Sequence, residues 1–223
     1  VLKMLETAQI PYRNDMRSDN DPIIIAGGPC AFNPLPVAEF IDVFMIGDGE
    51  DSIIEVCQIL EKTKGLPRKE RIKALCDGEN SGRWSALTGG TVTKRIAQLE
   101  YGTALKSYPI PFSTSVQDRA VVEIRRGCGR MCRFCQPGHV NLPIRERKAK
   151  EIINTTKELV KNTGYDEFSL LSLSSNDYTN IESVLEELTC HFKPHKVSAS
   201  LPSQRIDRFN ICLLYTSDAA DDL

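Results

Sequence analysis

This chain of 223 residues is poor in histidine, with three, and has a single tryptophan, Trp84. Residues 1–120 contain no histidine at all. Apolar runs such as Pro22–Ala26 are far too short to cross a bilayer, so no membrane association is expected. Excess charge of one sign is also missing. The formal net charge is −2, which argues against a polyanionic partner for the molecule as a whole. No internal repeat or low-complexity segment stands out. What remains, 41% hydrophobic and 26% charged residues, is the balance of a soluble globular protein. The length suits one large domain or two small ones.

Cysteine is comparatively plentiful, with eight. No signal-like segment precedes them, and Cys30, Cys57, Cys76, Cys190 and Cys212 are scattered singly. This pattern predicts a reducing, cytoplasmic setting with core or surface thiols, not a disulfide framework. The other three stand together in Arg126-Gly-Cys-Gly-Arg-Met-Cys-Arg-Phe-Cys-Gln136. Cys128, Cys132 and Cys135 are spaced C-x3-C-x2-C with no fourth nearby. Three thiolates can hold three irons of a cubane cluster and leave one iron open to a ligand; four-Cys clusters normally carry electrons only. Zinc is the alternative, because His139 extends the spacing to C-x3-C-x2-C-x3-H.

Around this motif, Arg119 to Lys150 holds nine cations against Glu123 and Glu146. Such a stretch is either a solvated basic face or a means of offsetting an anionic site. Phe134 is its one aromatic residue, which weighs against a base-stacking nucleic-acid surface.

Hydrophobic patterning places these features on an α/β framework. Helices are expected over Val1–Ala8, Pro36–Phe40 and Glu50–Lys62, with strands over Pro22–Ala26 and Asp42–Ile46. Weakly periodic residues from Gly65 to Val116 suggest a connecting region with a strand near Gly90–Ile96. A second series follows: strand Ala120–Ile124, the cysteine loop, helix Arg147–Thr163, strand Phe168–Leu173, helix Ile181–Phe192 and strand Lys196–Leu201. Ligand sites of parallel α/β sheets lie beyond the carboxyl ends of the strands. The cysteine loop, Ser174–Asp177 and Leu201–Arg205 all lie at that rim.

The cysteine spacing, with an aromatic just before the last Cys, resembles the signature of the radical S-adenosylmethionine (SAM) superfamily. The order of parts is also similar: turns Gly27-Gly28-Pro29 and Ile46-Gly-Asp-Gly-Glu50, a connecting region, then Glu123-Ile-Arg-Arg-Gly-Cys128. Over about residues 1–211 it resembles radical SAM proteins with an N-terminal cobalamin-binding-like domain. The resemblance implies an α/β fold: the end of a Rossmann-like cobalamin-binding-type domain (1–64), a connecting region (65–116), and the first part of a radical SAM (β/α) partial barrel (117–211).

It also implies a 4Fe-4S cluster on Cys128, Cys132 and Cys135, and reductive cleavage of SAM to a 5′-deoxyadenosyl radical. A flavodoxin- or ferredoxin-like reductant would supply the electron, and RNA or a small molecule would be the substrate. Phe134, Ser172, Ser174, Ser175, Ser200 and Arg205 become candidate SAM contacts. Gly27, Gly28, Gly47 and Gly49 become candidate corrinoid contacts, although the histidine ligand that cobalamin binders often supply has no counterpart in residues 1–120. The reading from a different class is a zinc- or iron–sulfur-containing binding or electron-transfer module without SAM chemistry. Residues 212–223 resemble translated sequencing adapter and are expected to be non-native.

Overall fold

The computed structural model describes residues 1–78, 80–99, 104–113 and 118–208. The tail expected to be non-native, residues 212–223, lies outside the described residues. The chain divides into two compact units, Val1–Ala97 and the residues from Gln98 onward. Mixed α/β structure with parallel strands occurs in both.

In the first unit, α1 (Leu2–Thr7) precedes β1 (Ile25–Ala26) and β2 (Val43–Met45). These are followed by α2 (Glu50–Lys62), α3 (Arg68–Cys76) and β3 (Arg83–Trp84). β1 and β2 pair in parallel, and β3 adds antiparallel to β2. Val43, Val56, Ile72 and Leu75 form one core cluster, while Ala31, Ile41 and Phe44 form another that packs on Trp84.

The helix α2 follows the expected bounds. Glu50 and Asp51 in its first turn and Lys62 in its last complement the helix dipole. Its apolar residues do not all pack: Val56 is buried, whereas Ile53 and Ile54 are exposed. The expected helix at Pro36–Phe40 is a single 3-10 turn, Leu35–Val37. Residues 65–97, which lack clear periodicity, supply α3 and β3 to this unit. The composition of α3, Arg-Lys-Glu-Arg-Ile-Lys-Ala-Leu-Cys, offers only a narrow apolar stripe, of which Ile72 and Leu75 are buried. Near Gly90–Ile96 there is no strand, only an isolated bridge between Arg95 and Gly47.

A buried ion cluster locks the start of β2. Asp42 Oδ2 accepts from Arg17 Nη1 (2.9 Å), Arg68 Nη2 (2.5 Å) and the Ile24 amide (2.7 Å). Arg17 also donates to the Pro11, Tyr12 and Phe40 carbonyls, and Arg68 to those of Asp21 and Pro22. Segments far apart in sequence are thereby tied to one carboxylate.

The second unit contains β4 (Ala120–Glu123), β5 (Arg125–Arg126), α4 (Gln136–Val140) and β6 (Arg145–Glu146). It continues through α5 (Ala149–Thr163), β7 (Glu167–Leu171), α6 (Ile181–Phe192) and β8 (Ser198–Ser200). The sheet runs β4-β7-β8 with both pairings parallel, and β5 and β6 form a separate antiparallel ribbon. Parallel neighbours require crossovers, and α5 and α6 supply them. Gly164, left-handed at φ 74°, ends α5.

Alternation along these strands separates two faces. Ala120, Val122, Phe168, Leu170 and Ala199 join a core with Ile152, Leu159, Val184, Leu185 and Leu188 of the helices. The opposite face carries Val121, Glu123, Glu167, Ser169, Leu171 and Ser200. Across it Arg119 Nη1 donates to Glu167 Oε1 (2.7 Å) and to Ser200 Oγ (3.0 Å). The helices thus cover one face of the sheet, and loops at the carboxyl ends of its strands are where a parallel α/β sheet places its ligand sites.

Candidate functional site

The cysteine loop leaves the sheet at its carboxyl rim. Its base is the β5–β6 ribbon, in which Arg125 pairs with Glu146 and Arg126 with Arg145. Gly127 has φ 86°, and a Cβ there would lie 2.6 Å from the Asn141 carbonyl oxygen, so the two limbs of the loop touch where only glycine fits. Cys128, Cys132 and Cys135 are all free thiols and all half-buried. The Cys135 amide donates to the Cys132 carbonyl (3.0 Å), which closes a turn between the last two thiols. Cys135 then starts α4. His139 is engaged with the backbone: its Nε2 lies 3.1 Å from the Cys132 carbonyl oxygen.

Three free, half-buried thiols on one short loop suit a three-thiolate iron–sulfur site by donor chemistry. Among the described residues, no three His, Cys, Asp or Glu side chains are already gathered as a ligand set.

Two further loops flank this one at the rim. Beyond β7, Ser172 Oγ accepts from the Ser174 amide (3.0 Å), Ser174 Oγ donates to Asp177 Oδ2 (2.9 Å), and Ser175 Oγ donates to the Pro202 carbonyl (2.6 Å). The Ser172 and Ser174 hydroxyls brace their own loop, and the Ser175 hydroxyl ties it to the loop after β8. Asn176 Nδ2 donates to the Arg205 carbonyl (2.7 Å) and its Oδ1 accepts from the Arg205 amide (3.0 Å). Ser200 stands on the polar sheet face with Arg119, away from this knot. Phe134 is 92% exposed, so its ring packs on nothing.

Asp177 is the electrostatic centre of the rim. Arg130 grips it in bidentate fashion, with Nε at 3.1 Å and Nη2 at 2.5 Å. Arg125 and Arg205 approach to 4.0 Å. The Arg130 guanidinium, helped by the Ser174 hydroxyl, holds the Asp177 carboxyl down to about 2. Sequence reasoning placed Asp177 in a rim loop without seeing this role; the available signal was a polar Ser-Ser-Asn-Asp turn after a strand. A cleft of about 870 Å³ opens beside the pair, lined by Gly129, Arg130, Ile144, Asp177 and Asn180 among others. That volume is within the range of small-molecule sites.

The basic stretch is not a free cationic face. Arg119 pairs with Glu167, Arg125 with Glu146, Arg126 with Glu123, Arg130 with Asp177, and Arg147 with Glu151.

In the first unit, Gly27 and Gly28 follow β1 and Gly47 follows β2, at one rim. Gly28, at φ 89°, faces open space, as does Gly49. Gly47 does not: a Cβ there would lie 2.1 Å from the Arg95 carbonyl oxygen. Glycine at 47 is therefore required by the chain's own backbone. Gly47 is thus taken up by the chain's own backbone, while Gly28 and Gly49 remain open.

Comparison with known proteins agrees with this architecture. The family described as radical SAM proteins, N-terminal, matches residues 1–81. An uncharacterized protein of Methanocaldococcus jannaschii is 30% identical over 194 residues, which is 83% of this chain and 40% of that protein. A tRNA-2-methylthio-N(6)-dimethylallyladenosine synthase of Clostridium botulinum is 36% identical over 69 residues, covering 31% of this chain and 15% of the synthase. The enzyme of that name from Clostridium perfringens is 35% identical over 92 residues, 41% of this chain and 20% of its own length. This chain thus spans well under half the length of these relatives. Among solved structures, the radical S-adenosylmethionine methyltransferase TsrM of Kitasatospora setae, with cobalamin and a 4Fe-4S cluster bound, superposes with a TM-score of 0.57. It is 13% identical, and the match covers 86% of this chain and 40% of that one, so the likeness is one of fold. Among the described residues, no helix is long and apolar enough to cross a membrane. A family match over the first unit, a shared fold over most of the chain and a three-cysteine loop at the rim of a parallel sheet make this chain a radical SAM superfamily protein.

Proposed function

We propose that Cys128, Cys132 and Cys135 ligate a 4Fe-4S cluster, and that the protein is an enzyme using that cluster with SAM. The observation that carries this is the loop itself: three free, half-buried thiols at the carboxyl rim of a parallel β-sheet. When bound, the cluster supplies one electron for reductive cleavage of a carbon–sulfur bond of SAM.

The chain's own residues supply position and charge. Gly127 permits the close turn that brings the loop limbs together. Ser172, Ser174 and Ser175 spend their hydroxyls on the rim, so their contribution to SAM would come from the main chain between them. Phe134 would offer its backbone to the adenine, and Arg205 and Ser200 complete the proposed contacts. Arg119 holds the Ser200 hydroxyl in place.

Two of the relatives are named for tRNA modification, which supports RNA as the substrate class to test first. A flavodoxin- or ferredoxin-like protein in the cytoplasm would serve as reductant.

The test is anaerobic reconstitution of the chain, followed by iron and sulfide analysis and electron paramagnetic resonance with and without SAM. About four irons per chain, as a cubane requires, and a spectrum that shifts on adding SAM are expected. Zinc without iron, or a cluster indifferent to SAM, would overturn the proposal.

A further inference from the structure

We propose that Asp177 is a positioning residue for the cysteine loop. It acts through Arg130 and couples that loop to the two rim loops assigned above to SAM. The inference rests on the cluster reading of the three cysteines.

Arg130 lies midway between Cys128 and Cys132, so whatever fixes its guanidinium fixes the middle of the ligand loop. A surface arginine ordinarily samples many rotamers, and ordering it costs entropy. Here both the Nε and Nη2 donors meet one carboxylate, a geometry that sets direction as well as distance. The carboxylate is itself held: its side chain is 6% exposed, and Ser174 Oγ donates to it.

The adjacent residue extends the chain of contacts. Asn176 makes a reciprocal pair with the backbone of Arg205, and Ser175 donates to the Pro202 carbonyl while its amide donates to the Ser203 carbonyl. Residues 175–177 therefore form a strut. One end holds the cysteine loop, and the other holds the loop after β8. Side-chain bonds and one backbone bond, from the Ser175 amide to the Ser203 carbonyl, join these segments, which lie far apart in sequence. The Arg130–Asp177 pair thus gives the stretch between Cys128 and Cys132 a fixed point.

Asp177 touches neither the thiols nor the proposed cluster, so its removal should alter the placement of the loop more than the capacity to hold iron. The conservative variant Asp177→Asn keeps shape and loses charge. Amide hydrogen exchange of the full chain without metal is measured first. Exchange in residues 129–135 should rise about tenfold in the variant, the loss expected for a charged, partly buried hydrogen-bond pair. After anaerobic reconstitution, iron and sulfide per chain should stay near wild type. The SAM concentration that half-shifts the paramagnetic spectrum should rise about tenfold, in proportion to the same loss. Asp177→Glu should recover part of both effects. Arg130→Gln should reproduce them, and the double variant should be no worse than either single, because the two residues act as one pair. Asp207→Asn, which removes an exposed partner of Arg205, should change neither readout.

Unchanged exchange in Asp177→Asn would overturn the strut. Faster exchange with a wild-type SAM response would also overturn it, since it would leave Asp177 a purely structural role. If the wild-type chain takes up no iron, the cluster reading fails and the strut falls with it. A wild type that takes up iron and responds to SAM, beside an Asp177→Asn variant that matches it in exchange and in SAM response, overturns the strut alone.

Discussion

Gly47 lies directly beneath the backbone of Arg95, so closely that a methyl group on its Cα would sit 2.1 Å from the Arg95 carbonyl oxygen. The contact is a backbone bridge: the Arg95 amide donates to the Ile46 carbonyl (2.9 Å) and the Asp48 amide to the Arg95 carbonyl (3.0 Å). Ala97 N then donates to Asp48 Oδ2 (2.8 Å), so the end of the first unit is fastened to the carboxyl end of β2. Gly47→Ala combines this clash with a left-handed φ of 108° and should destabilise the first unit by about 2 kcal/mol or more. Gly49→Ala should be nearly neutral, since φ is −96° and nothing lies within 4 Å. Urea unfolding followed by fluorescence of Trp84, the only tryptophan, reads this unit alone. Equal stability of the two variants would show that the bridge to Arg95 is not formed.

Asp42 makes a second prediction for the same reporter. Asp42→Asn leaves the Arg17 and Arg68 side chains, 0% and 5% exposed, buried without a counter-charge. Breaking such a cluster on one side typically costs about 3–5 kcal/mol. The Trp84 transition should move to markedly lower urea. A shift corresponding to less than about 1 kcal/mol, the worth of an exposed pair, would mean that the cluster is solvated in solution.

The pH dependence of the rim follows from Asp177. Its carboxyl sits near 2 when folded and near the ordinary aspartate value when unfolded, so its contribution is present above about pH 4. Stability is lost as pH falls from there toward 2. Because Arg130 is about one-third exposed, solvent screening reduces the full shift to about 1–2 kcal/mol. Melting temperatures of wild type and Asp177→Asn should differ at pH 7 and converge as pH falls through this window. A constant difference across it would contradict the ion pair.

For the cysteines the prediction is one of contrast. Cys132→Ala should abolish the cluster, because two thiolates do not hold a cubane. Cys190→Ala, at an exposed position of α6, should leave iron and sulfide unchanged. Full iron in the first variant, or lost iron in the second, would mean that the ligands are misassigned.

Much of this architecture is visible in local pattern. The periodicity of Glu50–Lys62 and Ile181–Phe192 coincides with α2 and α6, and Gly164 does end α5. The strands Ala120–Glu123 and Glu167–Leu171 fall where short apolar runs meet turn residues. Elements whose order depends on distant partners were not visible. Five of the nine residues of α3 are charged, and it is held by Arg68 reaching Asp42 and by two buried apolar side chains. The close approach of Arg95 to Gly47 spans a sequence gap that no local window covers. At the site, the cysteine spacing was legible, but the clasp was not. An arginine and an aspartate that meet only after β4 and β7 have paired leave no mark on local sequence.

The polar face of the second unit's sheet carries one last implication. Strand neighbours are matched residue for residue, with Val122 beside Leu170 and Phe168 beside Ala199. Sliding β4 or β7 by a single position would carry Glu123 or Glu167 to the face packed against Leu185 and Leu188 and remove Val122 or Leu170 from it. Each carboxylate would then lose its arginine as well as its solvent. Misaligned pairings are thus penalised twice, and the charged residues of the polar face proofread how the strands come together.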